Sequence, residues 1–280
     1  MRVLLAQLDP APGDQAANAA AVAAALAEHP GAELAVFPEL FLSGYDLARA
    51  GELALSAPAG GAAADGAGTG PIAVVRDAAR AHGTAVLVGF AERLPDGRVA
   101  NSVACVEADG RHVATYRKTH LFGAEAEAFA AGDELLVVEL AGRRVAPLVC
   151  FDVEFPEPAR ALARAGAELL ATLSANMEPY GPDHALAARA RALDNRLPHV
   201  YVNRVGGEDG HRFVGGSAAI AAGGAALEQL GAAAETRLAE LSLEGAGTAV
   251  ADPQVNYLEH LRDDLVVKAV SSPSVHGGTR

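Results

Sequence analysis

The chain has 280 residues, 51% of them hydrophobic, with 35 acidic residues against 22 basic ones and a formal charge of −13. That length and apolar share suit one large α/β domain or two small ones and exclude a disordered chain. The acidic surplus, without any cluster of Lys or Arg, excludes a nucleic-acid footprint.

The chain opens with a strand over 2–8, and an Ala-rich helix over 14–29 follows the turn at Pro12-Gly13. A second buried strand is expected over 32–40, stopped by Pro38. The Gly/Ala-rich stretch 51–70 reads as a surface loop, with the position of a lid between motif blocks. A helix at 71–82 leads to a strand at 85–93, and 101–118 reads as a hairpin turning at Asp109-Gly110. Strands are expected at 134–140 and 144–150, a helix at 156–167 with Pro in its first turn, a strand at 168–175, a helix at 182–196 and a strand at 199–206. Two more strands are expected near 215–222 and 236–243. Short apolar strands alternating with helices, plus hairpins, predict mixed sheets covered by helices in one α/β domain.

Two cysteines, Cys105 and Cys150, make no disulfide framework. The apolar start is too short for a signal peptide, and no stretch approaches the roughly 18 to 20 apolar residues of a membrane span. The chain is therefore expected in the cytoplasm, with both thiols reduced.

Strand ends in α/β folds display chemistry. Here three of them offer Glu39 after Pro38, Lys118 in YRKTH, and Cys150 at the end of an apolar run. A thiol is nucleophilic once deprotonated, and a nearby cation favours that state. A buried carboxylate can take the thiol proton and later activate water. A lysine, helped by the backbone N–H of Phe151, can stabilise an oxyanion. Spacing alone does not bring the three together.

The blocks FPEL (37–40), YRKTHLFG (116–123) and CFDVEFPE (150–157), with ANMEPY (175–180), ARARALDNR (188–196), YVNRVGGEDG (201–210) and FVGGS (213–217), resemble the nitrilase superfamily of carbon–nitrogen hydrolases. The resemblance spans about residues 2–245. It implies a four-layer αββα sandwich over 1–245 with an arm or tail at 246–280. It also implies a catalytic triad of Glu39, Lys118 and Cys150, no cofactor, and association as a homodimer or higher homo-oligomer. A second glutamate is implied after the lysine, with Glu125 at the better spacing and Glu127 in reserve. The later blocks look most like the aliphatic and stereoselective amidase branch. The implied reaction is hydrolysis of a small non-peptide amide through a thioester. Nitrile hydrolysis, N-carbamoyl hydrolysis, acyl transfer and a non-catalytic scaffold are the alternatives.

Asn176, Met177 and Tyr180 are candidate acyl-group contacts, with Phe151 beside them. Departures from the family pattern are Leu173-Ser174 in place of Pro-Thr, and the missing Pro before Gly132, which predicts a looser lysine loop. Cys105 reads as a small buried hydrophobe. Asp152, Glu154 and Glu157 read as structural, because a carboxylate aimed at the thiol would oppose its ionisation. His120 is expected to order the lysine loop. The remaining histidines lack ligand spacing, so no metal is expected.

Overall fold

The computed structural model describes residues 1–57 and 70–244, together with Leu258, Leu261, Arg262 and Asp264. In chain order the elements begin with β1 (Arg2–Gln7), α1 (Gln15–Glu28), β2 (Leu34–Val36), α2 (Ala50–Leu53), β3 (Leu55–Ser56), α3 (Pro71–His82) and β4 (Ala85–Arg93). The hairpin β5 (Val99–Val106) and β6 (His112–Arg117) follows, then α4 (Glu125–Ala128), β7 (Val138–Leu140) and β8 (Arg143–Val149). A 3-10 turn at Cys150–Glu154 precedes α5 (Pro156–Arg164), β9 (Leu169–Ser174), α6 (Gly181–Asn195) and β10 (His199–Asn203). The strands β11 (Val205–Glu208), β12 (His211–Val214), β13 (Ala218–Ile220), β14 (Ala226–Gln229) and β15 (Glu235–Glu240) complete the described chain.

Among the described residues, one sheet runs β15-β1-β2-β4-β5-β6 with β3 beside β4, and the other runs β14-β13-β10-β9-β8-β7. The side-chain period of two sorts each strand between two layers. Val3 and Leu5 of β1 join Leu169, Ala171 and Leu173 of β9 between the sheets. Leu4 and Ala6 face Val22 and Leu26 of α1 and Val75 of α3. On the far side, Leu148 and Leu170 meet Leu162 of α5, while Tyr201 and Ile220 meet Ala188 and Ala192 of α6. This is the four-layer αββα sandwich that the resemblance implies.

The local signals explain most of the ends. Asp14 caps α1 by accepting from the Ala17 N–H at 2.9 Å. Gly83, at φ +63, ends α3 in the left-handed conformation that glycine adopts most easily. Several expected spans are corrected. The second strand shrinks to Leu34–Val36, and the strand expected at 134–140 is regular only from Val138. The span 199–206 breaks at Arg204 into β10 and the start of a separate hairpin, β11-β12. Within 51–70, residues up to Leu53 continue a helical turn and Leu55–Ser56 pairs with β4. Residues 58–69, with the lid reading, lie outside the described residues, as does most of the 246–280 tail.

Candidate active site

Glu39, Lys118 and Cys150 converge where the two sheets end. Glu39 follows β2 in a tight turn in which Leu40 has φ +49, and its side chain is fully buried. Its Oε1 accepts from Lys118 Nζ at 2.7 Å and from Asn101 Nδ2 at 2.6 Å. Its Oε2 accepts from the Ala175 N–H at 2.8 Å. Each hydrogen bond fixes an oxygen, so the carboxylate has one orientation.

Lys118 is held by the hairpin register: its N–H donates to the Asn101 carbonyl at 2.9 Å, one residue beyond β6. Arg117, just before it, forks onto buried Glu92 at 2.7 Å. The lysine loop is tied at its far end too, because the Gly132 N–H donates to the Lys118 carbonyl at 2.8 Å.

The geometry separates the two glutamates after the lysine. Glu125 is fully buried and accepts from Lys118 Nζ at 2.8 Å, whereas Glu127 is exposed on the other side of the short α4. Glu125 in turn accepts from the Tyr45 hydroxyl at 2.7 Å and the Phe122 N–H at 2.8 Å. Lys118 is thus bracketed by two buried carboxylates.

Cys150 stands at φ +45, the first residue of the 3-10 turn, with Glu39, Lys118 and Ser174 acting on its thiol. The nearby Lys118 does pull the Cys150 pKa down, as expected, but it is outweighed. Burial pushes the thiol well above its usual range and the charge of Glu39 adds to that, while Lys118 only partly opposes it. Burial also raises Glu39, against the pull of Lys118. Burial would lower Lys118, but the charges of Glu39 and Glu125 outweigh it and keep the ammonium protonated. Thiol and carboxylate therefore compete for one proton beside a permanent cation.

The carboxylates after Cys150 divide as their surroundings dictate. Asp152 is buried and turned from the sulfur: it accepts from Tyr116 and Thr119 hydroxyls, the Val149 N–H and both the N–H and ring of His120, all within 3.0 Å. Burial opposes its ionisation, but these donors outweigh burial and lower its pKa. It is the clamp between the lysine loop and the nucleophile turn, with His120 as its partner. Cys105 is fully buried in the hairpin, and burial pushes its thiol up to about 12.

A cavity of about 290 Å³ opens onto Cys150. Phe151, Asn176, Met177 and Tyr180 stand in its wall, as do Phe122 and Glu154 from the motif blocks and Tyr45 and His184 from outside them. Phe122 meets Phe151 and Tyr180 edge to face, with centroids at 5.3 and 5.5 Å, so one side of the cavity is aromatic. The Asn176 amide is committed to the Tyr180 carbonyl at 3.1 Å, and its backbone to Asn203. Among the described residues, no group of three His, Cys, Asp or Glu side chains could hold a metal ion, and no helix is long and apolar enough to cross a membrane.

The sequence pattern of the family described as carbon–nitrogen hydrolase matches residues 2–250. The chain belongs to the carbon–nitrogen hydrolase family. A "Hydrolase in pqqF 5'region" from Pseudomonas protegens is 41% identical over 82% of this chain and 79% of its own length. An (R)-stereoselective amidase of Pseudomonas sp. is 39% identical, covering 87% of this chain and 86% of its own. Among solved structures, a glutamate variant of the amidase from Nesterenkonia sp. AN1 superposes with a TM-score of 0.79 at 28% identity, covering 94% of each chain. That variant carries the acetamide moiety of fluoroacetamide covalently on its active-site cysteine. This carbon–nitrogen hydrolase therefore lies on the amidase-like branch of the nitrilase superfamily, and it is an enzyme.

Proposed function

We propose that this hydrolase cleaves the C–N bond of a small non-peptide amide through a thioester on Cys150. The observation that carries the reading is the buried Lys118 ammonium, hydrogen-bonded to Glu39 and Glu125 at 2.7 and 2.8 Å, beside a thiol that opens on a small cavity. Glu39 takes the Cys150 proton as the sulfur attacks the carbonyl carbon; it is well suited because burial has raised its basicity. Lys118 and the Phe151 N–H, near the start of a turn whose first N–H groups lack internal acceptors, stabilise the oxyanion. Glu39 returns the proton to the leaving nitrogen, the thioester forms, and ammonia departs. Water activated by Glu39 then releases the acid and restores the thiol. Glu125 holds Lys118 in place while neutralising it.

Phe151, Met177, Tyr180 and Phe122 surround the acyl group in this reading, with Asn176 shaping the wall. The cavity on Cys150, narrowed by Phe122, Phe151, Met177 and Tyr180, favours small acyl groups. Residues 1–245 form the hydrolase domain and 246–280 an arm. The location is cytoplasmic and the assembly a homodimer or larger, a reading supported by Leu186 and Leu193, 72% and 38% exposed along α6.

Ammonia release from a panel of small amides, nitriles and N-carbamoyl compounds tests the proposal, with Cys150→Ala as the blank. Turnover of an amide that disappears in the variant is the expected result. Turnover of nitriles or carbamoyl compounds alone would overturn the amide assignment, and turnover surviving in Cys150→Ala would overturn the mechanism.

A further inference from the structure

Polar side chains form a closed circuit around the turn that carries Cys150. Ser174, the last residue of β9, follows the Val149–Leu173 pair that sets it beside Cys150, where it favours the ionised thiol. The Tyr201 hydroxyl, from β10, donates to Ser174 Oγ at 3.0 Å, and His184 Nδ1, in the first turn of α6, lies 2.9 Å from that hydroxyl. His184 Nε2 then meets Glu154 Oε1 at 3.0 Å. Glu154 ends the 3-10 turn that Cys150 begins, so the backbone closes the ring. Ser174, Tyr201 and His184 are buried, while His184 and Glu154 also face the cavity. None of these links is needed by the steps assigned to Glu39, Lys118 and Glu125.

The ring has two polarities. Burial holds His184 at a pKa of about 4, so its imidazole carries one proton. With that proton on Nε2, the imidazole donates to Glu154, Tyr201 donates to Nδ1, and nothing aims the Ser174 hydroxyl. With it on Nδ1, the imidazole donates to Tyr201, Tyr201 donates to Ser174, and the Ser174 proton points at sulfur. This second polarity is the direction in which Tyr201 donates to Ser174 in the structure, and the Glu154 pKa is raised by burial and, next, by Asp183, which suits a carboxyl facing Nε2. The other charges near the ring are Glu39, Lys118 and Glu125 beyond the sulfur, and Arg191, which donates to the Val153 and Glu154 carbonyls.

We propose that Ser174, Tyr201, His184 and Glu154 are a single positioning circuit for Cys150, in which Tyr201 aims the Ser174 hydroxyl at the sulfur and stabilises the thiolate as it forms. His184 and Glu154 connect that bond to whatever occupies the cavity. The proposal rests on Cys150 being the nucleophile and is independent of which substrate is cleaved.

Alkylation by iodoacetamide reads the sulfur directly: the thiolate forms a C–S bond, iodide leaves, and the intact protein gains one adduct. The rate is measured against pH by mass spectrometry, with Cys150→Ala as the blank and melting temperature as the check on folding. Ser174→Ala and Tyr201→Phe are each expected to slow alkylation roughly 3- to 10-fold at neutral pH by moving the profile to higher pH, a tenfold change corresponding to one pKa unit. The double variant is expected to be no slower than Ser174→Ala alone. His184→Asn, whose amide reaches the place of Nδ1, should keep more of the rate than His184→Leu. Folded single variants with the wild-type profile, or effects that simply add, would overturn the circuit. Should Tyr201→Phe fail to fold, Ser174→Thr against Ser174→Val decides: the hydroxyl-bearing variant must keep the faster rate, and equal rates overturn the proposal. Altered alkylation alongside silence on every amide would leave the circuit standing and sink the amide reading instead.

Discussion

Gly89 is packed against the backbone of Glu39. A β-carbon at Gly89 would lie 2.5 Å from the Pro38 carbonyl oxygen and 2.8 Å from the Glu39 carbonyl carbon. These atoms are also tied by hydrogen bonds, with the Gly89 N–H donating to Pro38 at 3.2 Å and Leu42 donating back to Gly89 at 3.0 Å. Gly89→Ala must therefore push the Glu39 turn. Overpacking of this kind costs about 1–3 kcal/mol, and a displacement near 1 Å at the chemistry costs on the order of 100-fold in rate. Both a lower melting temperature and slower ammonia release are expected; an alanine variant with full turnover would contradict the rigid placement of Glu39.

Lys118→Met removes the cation between two fully buried carboxylates. Breaking a buried pair on one side costs about 3–5 kcal/mol. Without the ammonium that pulls it down, Glu39 is held above its unfolded pKa by burial, so the folded variant binds more protons than the unfolded one. Its stability should therefore rise as pH falls from 8 toward 5. Urea melts across that range check the sign, and a deficit that is independent of pH would refute it.

Glu125→Gln and Glu127→Gln separate the two glutamates functionally. The first weakens the contacts to Lys118 and Tyr45 and is expected to lower kcat by roughly 100-fold, with the fold retained. The second alters an exposed side chain and should leave kcat unchanged. Tyr45→Phe, which deletes a 2.7 Å bond to Glu125, should cost about 1 kcal/mol of stability. Steady-state kinetics of the two glutamine variants and urea melts of Tyr45→Phe check these outcomes.

The His120–Asp152 pair gives stability a second pH dependence. The hydrogen bond to Asp152 raises the His120 pKa. Its contribution is present in full below the unfolded value of about 6.5 and disappears as pH rises through the folded value. Asp152 is lowered, so its share is present above about 4 and is lost as pH falls through its folded value. The imidazole is 34% exposed and screened, which limits its part to at most about 1 kcal/mol. Melting curves of His120→Gln against wild type should differ more at pH 5.5 than at pH 8.5; the reverse order would show that the charged pair contributes nothing.

The layers of the sandwich were legible because the relevant signals are local: alternation in β1, a cap at Asp14, a proline opening α3 and α5. The meeting of Glu39, Lys118 and Cys150 was legible from their motif blocks, each at a strand end. Tyr45 and Asn101 were not, because they reach Glu125 and Glu39 across 80 and 62 residues of chain. That contact depends on sheet register, which a single sequence does not reveal. His184 is hidden for a related reason: as one of nine scattered histidines it has no spacing pattern. Its meaning comes from α6 laying it against Tyr201 and Glu154. Choosing Glu125 over Glu127 required knowing which side of a four-residue helix faces inward. The separate β11-β12 hairpin was hidden because its glycines break the apolar run in YVNRVGGEDG.

Cys150 holds a backbone conformation, φ +45, that a residue with a β-carbon occupies only at a cost, of order 1 kcal/mol or more. Glycine alone would sit there without strain. Evolution toward a hardier protein and evolution toward a working one thus pull in opposite directions at this position. A library selected for heat resistance alone should drift toward Cys150→Gly and discard the thiol, whereas Cys150→Ala and Cys150→Ser keep the strain and remain the fairer controls.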